Sequence, residues 1–156
     1  MTLHFAYGAN MSRAVMGKYA PAAQPLGAAV LTHYRFVITA DGYASVVPVR
    51  GEIVHGVLWR LGAGDRGALD AWENVAAGLY RAQMLPVRHA GSRCAALVYR
   101  ARPRPEGIAR AGYLELVIAA ALEWQLPQAY IDALKTRLSG QPAGESLRRR
   151  GEFRWT

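Results

Sequence analysis

Apolar and polar positions alternate with a period of two through most of the first hundred residues, then shift to a helical period near the end. Residues 2–7 carry Leu3, Phe5 and Tyr7 on one face and break at Gly8, which predicts a strand running into a loop at 8–11. Ser12 stands where it can cap a short helix at about 12–18. Leu31 to Thr39 alternates again, with Tyr34, Phe36 and Ile38 in phase, and Asp41-Gly42 predicts a turn after it. Ala44 to Pro48 and Glu52 to Leu61 predict two more strands, the second marked by Ile53-Val54-His55-Gly56-Val57-Leu58-Trp59. Asp65 is expected to cap a helix over about 66–74, after which Leu79 to Arg88 and Arg93 to Ala101 return to strand. Two helices follow, at about 108–124 and 128–138, with Pro127 ending one and starting the next. Some six strands, with helices inserted among them and grouped after them, make an α+β domain.

The length of 156 residues and an apolar content of 52% suit one domain with a real core. Residues 1–138 are expected to form it, and 139–156, rich in glycine and arginine, to extend over the surface. The longest apolar stretch, Leu114 to Leu122, is interrupted by Glu115 and is too short to span a bilayer. The first residues lack the basic and apolar regions of a signal peptide, so a cytoplasmic location is expected. One cysteine, Cys94, excludes an internal disulfide and reads as a small hydrophobe rather than a nucleophile.

The net charge of +8 raises the question of nucleic acid. Only Arg148-Arg149-Arg150 forms a run; the other arginines are dispersed, and the aromatics do not interleave with them as a stacking platform requires. A solvated basic surface with general attraction to anions is the simpler reading, with no specific nucleic-acid partner.

The histidines His4, His33, His55 and His89 are scattered, without metal-ligand spacing, and no nucleophile elbow, P-loop or dinucleotide fingerprint is present. Two features remain. A strand that ends at Gly8 can turn with positive φ and present unpaired backbone N–H groups to an anion or oxyanion. Glu73, four residues beyond Leu69, shares that residue's inward face. A carboxylate there is either a rim residue paired with an arginine or a working acid whose desolvation raises its pKa.

These segments are similar to a known pattern. Phe5-Ala6-Tyr7-Gly8-Ala9-Asn10-Met11 resembles the Y-G-S-N-L signature of the γ-glutamylcyclotransferase-like, or AIG2-like, family. Leu69-Asp70-Ala71-Trp72-Glu73-Asn74-Val75 with Gly78-Leu79-Tyr80-Arg81 resembles its L-D-x-x-E-G-V…G-x-Y segment, and Tyr113 to Pro127 its Y…G-L-P helical segment. Ala44-Ser45-Val46-Val47-Pro48 before the Val54–Trp59 strand matches in order and spacing, so the resemblance covers most of residues 4–138. Three positions depart from the pattern: Ala9 for Ser, Met11 for Leu and Asn74 for Gly.

The resemblance implies a small mixed β-barrel flanked by helices. It implies an enzyme that cyclises a γ-glutamyl amine or amide to 5-oxoproline and releases the amine, without metal or cofactor. Glu73 would be the general acid/base, with Phe5, Ala6, Tyr7, Gly8, Ala9, Asn10 and Tyr113 binding substrate and Met11, Ser45 and Tyr80 lining the pocket. Its partner would be a small γ-glutamyl molecule, not a membrane, and the protein a monomer or homodimer. Two other readings stay open: a non-catalytic module on the same fold that holds a small ligand, and a basic nucleic-acid-binding protein.

Overall fold

The computed structural model describes residues 1–140. Five strands close into a barrel in the order β1-β3-β2-β4-β5. They are β1 (Thr2–Ala6), β2 (Gln24–Ile38), β3 (Ala44–Leu61), β4 (Tyr80–His89) and β5 (Ser92–Ala101). Every pairing is antiparallel except that of β1 with β5, where His4 lies opposite Leu97 and the barrel closes in parallel. Closure leaves no long free edge. Four helices surround the barrel: α1 (Arg13–Tyr19), α2 (Asp65–Trp72), α3 (Tyr113–Glu123) and α4 (Gln128–Ser139). No helix among the described residues is long and apolar enough to cross a membrane.

The strand count differs from the expectation because two strands are one. Residues 44–48 and 52–61 belong to a continuous β3, and β2 begins at Gln24, seven residues before Leu31. Two register shifts in this hairpin, at Pro25/Gly27 and Thr32/Tyr34, bend the ribbon enough to wrap the barrel. At the second, His33 has φ 66° and its Nδ1 accepts a 3.0 Å hydrogen bond from Gly51 N, which itself has φ 87°. The exposed Arg50-Gly51-Glu52 stretch that suggests a loop is therefore part of a bulged strand. The Asp41-Gly42 turn is present, with Gly42 at φ 88° and its N–H bonded to Thr39 O.

Helix ends follow local chemistry with two corrections. Ser12 caps α1, its Oγ accepting from Val15 N. Asp65 is inside α2 rather than its cap; Gly64, at φ 83°, occupies that position, and the Asp65 carboxylate instead accepts from Gly62 N at 2.8 Å and Ala22 N at 3.4 Å. Helix α3 starts at Tyr113, five residues later than expected, after Gly112 at φ 79°. Pro127 opens α4 as anticipated. The tail expected at 139–156 lies outside the described residues from 141 on, and Ser139 closes α4.

The core fills the barrel and the seam beneath α3 and α4, joining Phe5, Leu31, Val57, Leu97, Val117 and Ile131 among others. Strand β1 lies deep in it: Phe5 and Ala6 are fully buried and His4 nearly so, so both faces are covered rather than the single Leu3–Phe5–Tyr7 face. One close approach makes this possible. A Cβ on Gly56 would stand 2.2 Å from Ala6 O and 2.7 Å from the Phe5 ring. Only glycine lets β3 pass so near the end of β1. Cys94, on β5, is half-buried against the core.

Candidate functional site

Strand β1 delivers its last residues to a tight turn of 3₁₀ helix, Ala9–Met11. Gly8 has φ −110° and ψ −143°, so the expected positive φ is not used. The turn is closed by Met11 N to Gly8 O (3.1 Å) and Ser12 N to Ala9 O (3.0 Å), and Trp124 Nε1 donates to Met11 O at 2.7 Å. A helical turn leaves the amides of its first residues without a partner inside the turn. Ala9, Asn10 and Met11 are all buried.

Asn10 is held by an imidazole. His4 Nδ1 lies 3.0 Å from Leu97 O, so this nitrogen carries the proton, and Nε2 is left to accept from Asn10 Nδ2 at 2.9 Å. Burial lowers the His4 pKa to about 4, against a smaller rise from the Leu97 bond. The other side of the amide differs. Asn10 Oδ1 is buried and has no hydrogen-bond partner among the described residues.

Glu73 arrives from the end of α2. Helix α2 ends at Trp72, Glu73 is its C-cap, and Asn74 takes the left-handed conformation at φ 52°. Asn74 N donates to Ala71 O at 3.1 Å and Val75 N to Asp70 O at 3.0 Å, the paired bonds of a Schellman motif. This turn carries the side chain inward, where Glu73 is 1% exposed, like Leu69 before it. Its field reaches Tyr7. Burial first, then Tyr80, Glu73 and Tyr113, push the Tyr7 phenol well above its usual pKa, with a hydrogen bond from Ser45 opposing. The Tyr7 hydroxyl itself donates to Tyr99 O. Tyr80 and Tyr113 grip the backbone of one residue between them: Tyr80 OH donates to Ala44 O at 2.8 Å, and Ala44 N donates to the Tyr113 hydroxyl at 3.2 Å. Ser45 follows, its Oγ accepting from Ala101 N at 2.9 Å.

The AIG2-like family model matches residues 53–134, more than half of the chain. The chain belongs to that family. The matched span holds Glu73, Tyr80 and Tyr113, and the Gly8 turn lies before it. Among solved structures, a gamma-glutamyl cyclotransferase superposes with a TM-score of 0.81 at 23% identity, over 86% of each chain. An uncharacterised protein from Homo sapiens does so at 0.80, with the same identity and coverage. YkqA from Bacillus subtilis matches at 0.75 and 24% identity, over 90% of this chain and 55% of its own length. At these identities the likeness is one of fold, the γ-glutamylcyclotransferase-like barrel. No curated protein matches the sequence.

In this AIG2-like chain Tyr7, Glu73, Tyr80, Tyr113 and Ser45 converge on one buried region at the end of β1, and Asn10 lies in the buried turn that follows the strand. Phe5, Ala6 and Met11 support it from the core without presenting a polar group. No group of three or more His, Cys, Asp or Glu among the described residues is arranged to hold a metal. A cavity of about 380 Å³ opens beside this region, with Ser45 in its wall. Its other walls include Val47 and Pro48 of β3 and residues 100–104, segments far apart in sequence. Residues whose part the sequence hid are His4, Tyr99 and Asp70. Tyr99 OH donates to Asp70 Oδ1 at 2.7 Å, and burial with this neighbour raises the Tyr99 pKa. Only His4 left a trace, as a histidine in phase opposite Leu3 and Phe5 in an otherwise apolar strand.

Proposed function

We propose that the protein is a γ-glutamylcyclotransferase-type enzyme, converting a γ-glutamyl amine or amide to 5-oxoproline and a free amine. Glu73 carries the reading: a buried carboxylate at a helix end whose charge acts on Tyr7, just before the buried turn that follows β1. The AIG2-like membership and the shared barrel support it.

The substrate's α-amino nitrogen attacks its own δ-carbonyl carbon, forming the C–N bond of a five-membered lactam. Nucleophile and electrophile share one molecule, so holding the folded conformer supplies much of the rate. Glu73 takes a proton from the α-ammonium group and returns it to the leaving nitrogen as the original amide C–N bond breaks. The amides of Gly8, Ala9 and Asn10 receive the oxyanion of the tetrahedral intermediate. Ala9 lacks the hydroxyl of the family's serine but keeps the N–H. Asn10 Oδ1, aligned by His4, is an acceptor suited to the substrate's ammonium hydrogens. Tyr113 and Tyr80 fix the Ala44 backbone and with it the shape of the site. The reaction as written needs no metal or cofactor.

The protein incubated with γ-glutamyl dipeptides and γ-glutamyl alkylamines should release 5-oxoproline, read by mass spectrometry. The missing hydroxyl at position 9 keeps one competitor in view, a module that binds such ligands without reacting. A γ-glutamyl compound that raises Tm yet stays intact for hours would favour that competitor and overturn the enzyme.

A further inference from the structure

The cavity beside Ser45 has a charge pattern that its neighbours do not explain. Four arginines and one acid, Glu106, line it: Arg81 from β4, Arg100 from β5, and Arg102 and Arg104 from the segment that follows. Arg81 and Arg100 are direct register partners across the β4–β5 pair. Like charges placed opposite each other in an antiparallel pair are destabilising, so the arrangement gains from an anion between or above them.

The four guanidinium groups are not equivalent. Arg100 is committed to the fold: its Nε donates to Val46 O at 3.3 Å, its Nη1 to Gln83 Oε1 at 2.9 Å, and it lies over the Tyr34 ring at 5.2 Å. Arg104 pairs with Asp41. Glu106 is drawn towards Arg35, at 3.9 Å. Arg81 and Arg102 form no side-chain hydrogen bond or ion pair among the described residues. Two uncommitted forks thus flank a cavity whose other walls are mostly apolar, with Val37, Val47, Pro48 and Pro103 beside the hydroxyls of Thr39 and Ser45.

We propose that this cavity binds a small organic carboxylate, with Arg81 and Arg102 receiving the carboxylate and the apolar walls enclosing its carbon body. A guanidinium matches a carboxylate through two parallel N–H···O bonds, and an apolar wall favours an organic anion over a bare inorganic one. The volume of about 380 Å³ lies in the range of small-molecule sites. The carboxylate has two possible sources. It is carried by the leaving group of a substrate whose reacting end lies at Ser45 and beyond, or by a separate ligand. The binding claim stands apart from the proposed reaction.

The test compares the full-length protein with the double variant Arg81→Gln/Arg102→Gln, whose changes are at exposed side chains. Titration calorimetry with N-acetylalanine and with its neutral amide, equal in shape, reads the charge preference at low salt. We expect the carboxylate to bind about ten-fold more tightly than the amide to the wild type, and the advantage to vanish in the variant. Equal affinities in the wild type, or an undiminished advantage in the variant, would overturn the proposal. A kinetic arm separates the sources. If the variant loses kcat/KM selectively for γ-glutamylalanine over γ-glutamylethylamine, the ligand is a leaving group; if that ratio is unchanged while binding is lost, it is a separate molecule. Lost binding preference with no 5-oxoproline from either compound would support the site and count against the enzyme.

Discussion

Burial deep in the barrel keeps the imidazole of His4 neutral, with one ring nitrogen donating to a carbonyl and the other accepting from an amide. An unfolded histidine titrates near 6.5, whereas the folded one does so at about 4. Between these values the unfolded chain binds a proton that the folded chain refuses. Stability contributed by His4 is therefore complete above about pH 6.5 and is lost as pH falls towards 4. The difference corresponds to about 3 kcal/mol. In His4→Gln both hydrogen bonds can be retained by an amide that does not titrate. Between pH 7 and pH 4.5 the unfolding free energy from urea titration should fall by about that much more for the wild type than for the variant; parallel falls would contradict this. Such residues show what the sequence conceals. Glu73 was legible because helical spacing placed it with Leu69. The roles of His4 and Tyr99 were not, because the Leu97 and Tyr7 contacts depend on a parallel β1–β5 pairing that no local pattern announces.

At the scale of elements, the end of α2 decides where the carboxylate points. Asn74 sits at φ 52° in the Schellman turn, a conformation that Cβ makes costly and glycine adopts freely. Asn74→Gly should hold or raise stability by up to about 1 kcal/mol, whereas Asn74→Ala should lower it by roughly 1 kcal/mol. Denaturant titration of the three proteins checks the order, and a more stable alanine variant would contradict it. The left-handed role of this asparagine was readable from its place after the helix. The unity of β3 was not. Gly51 and the polar residues around it carry the signals of a loop, and only the pairing of Gly51 with His33 across the hairpin shows that they continue a strand.

Across the whole molecule, the order of strands and helices fixed an α+β class, and the family motifs pointed to the barrel; strand order and closure came only with the structure. The positive charge of +8 has no stacking platform to accompany it in the sequence. Binding to duplex DNA is expected to be blind to sequence and lost by roughly 200 mM salt. A retained, sequence-dependent affinity in a gel-shift series would reverse that expectation. What the fold does bring together is the β1 turn, the α2 end and the Tyr80–Tyr113 pair, from positions more than a hundred residues apart. If this assembly is a cyclotransferase site, its chemistry depends on one proton carrier. Glu73→Gln is nearly isosteric but cannot accept and return that proton. The decisive measurement is 5-oxoproline formation by this variant and by the wild type from the same γ-glutamyl substrate, with Tm recorded for both. The account predicts a loss of kcat on the order of 100-fold or more with a folded variant. Turnover by Glu73→Gln at the wild-type rate would contradict it.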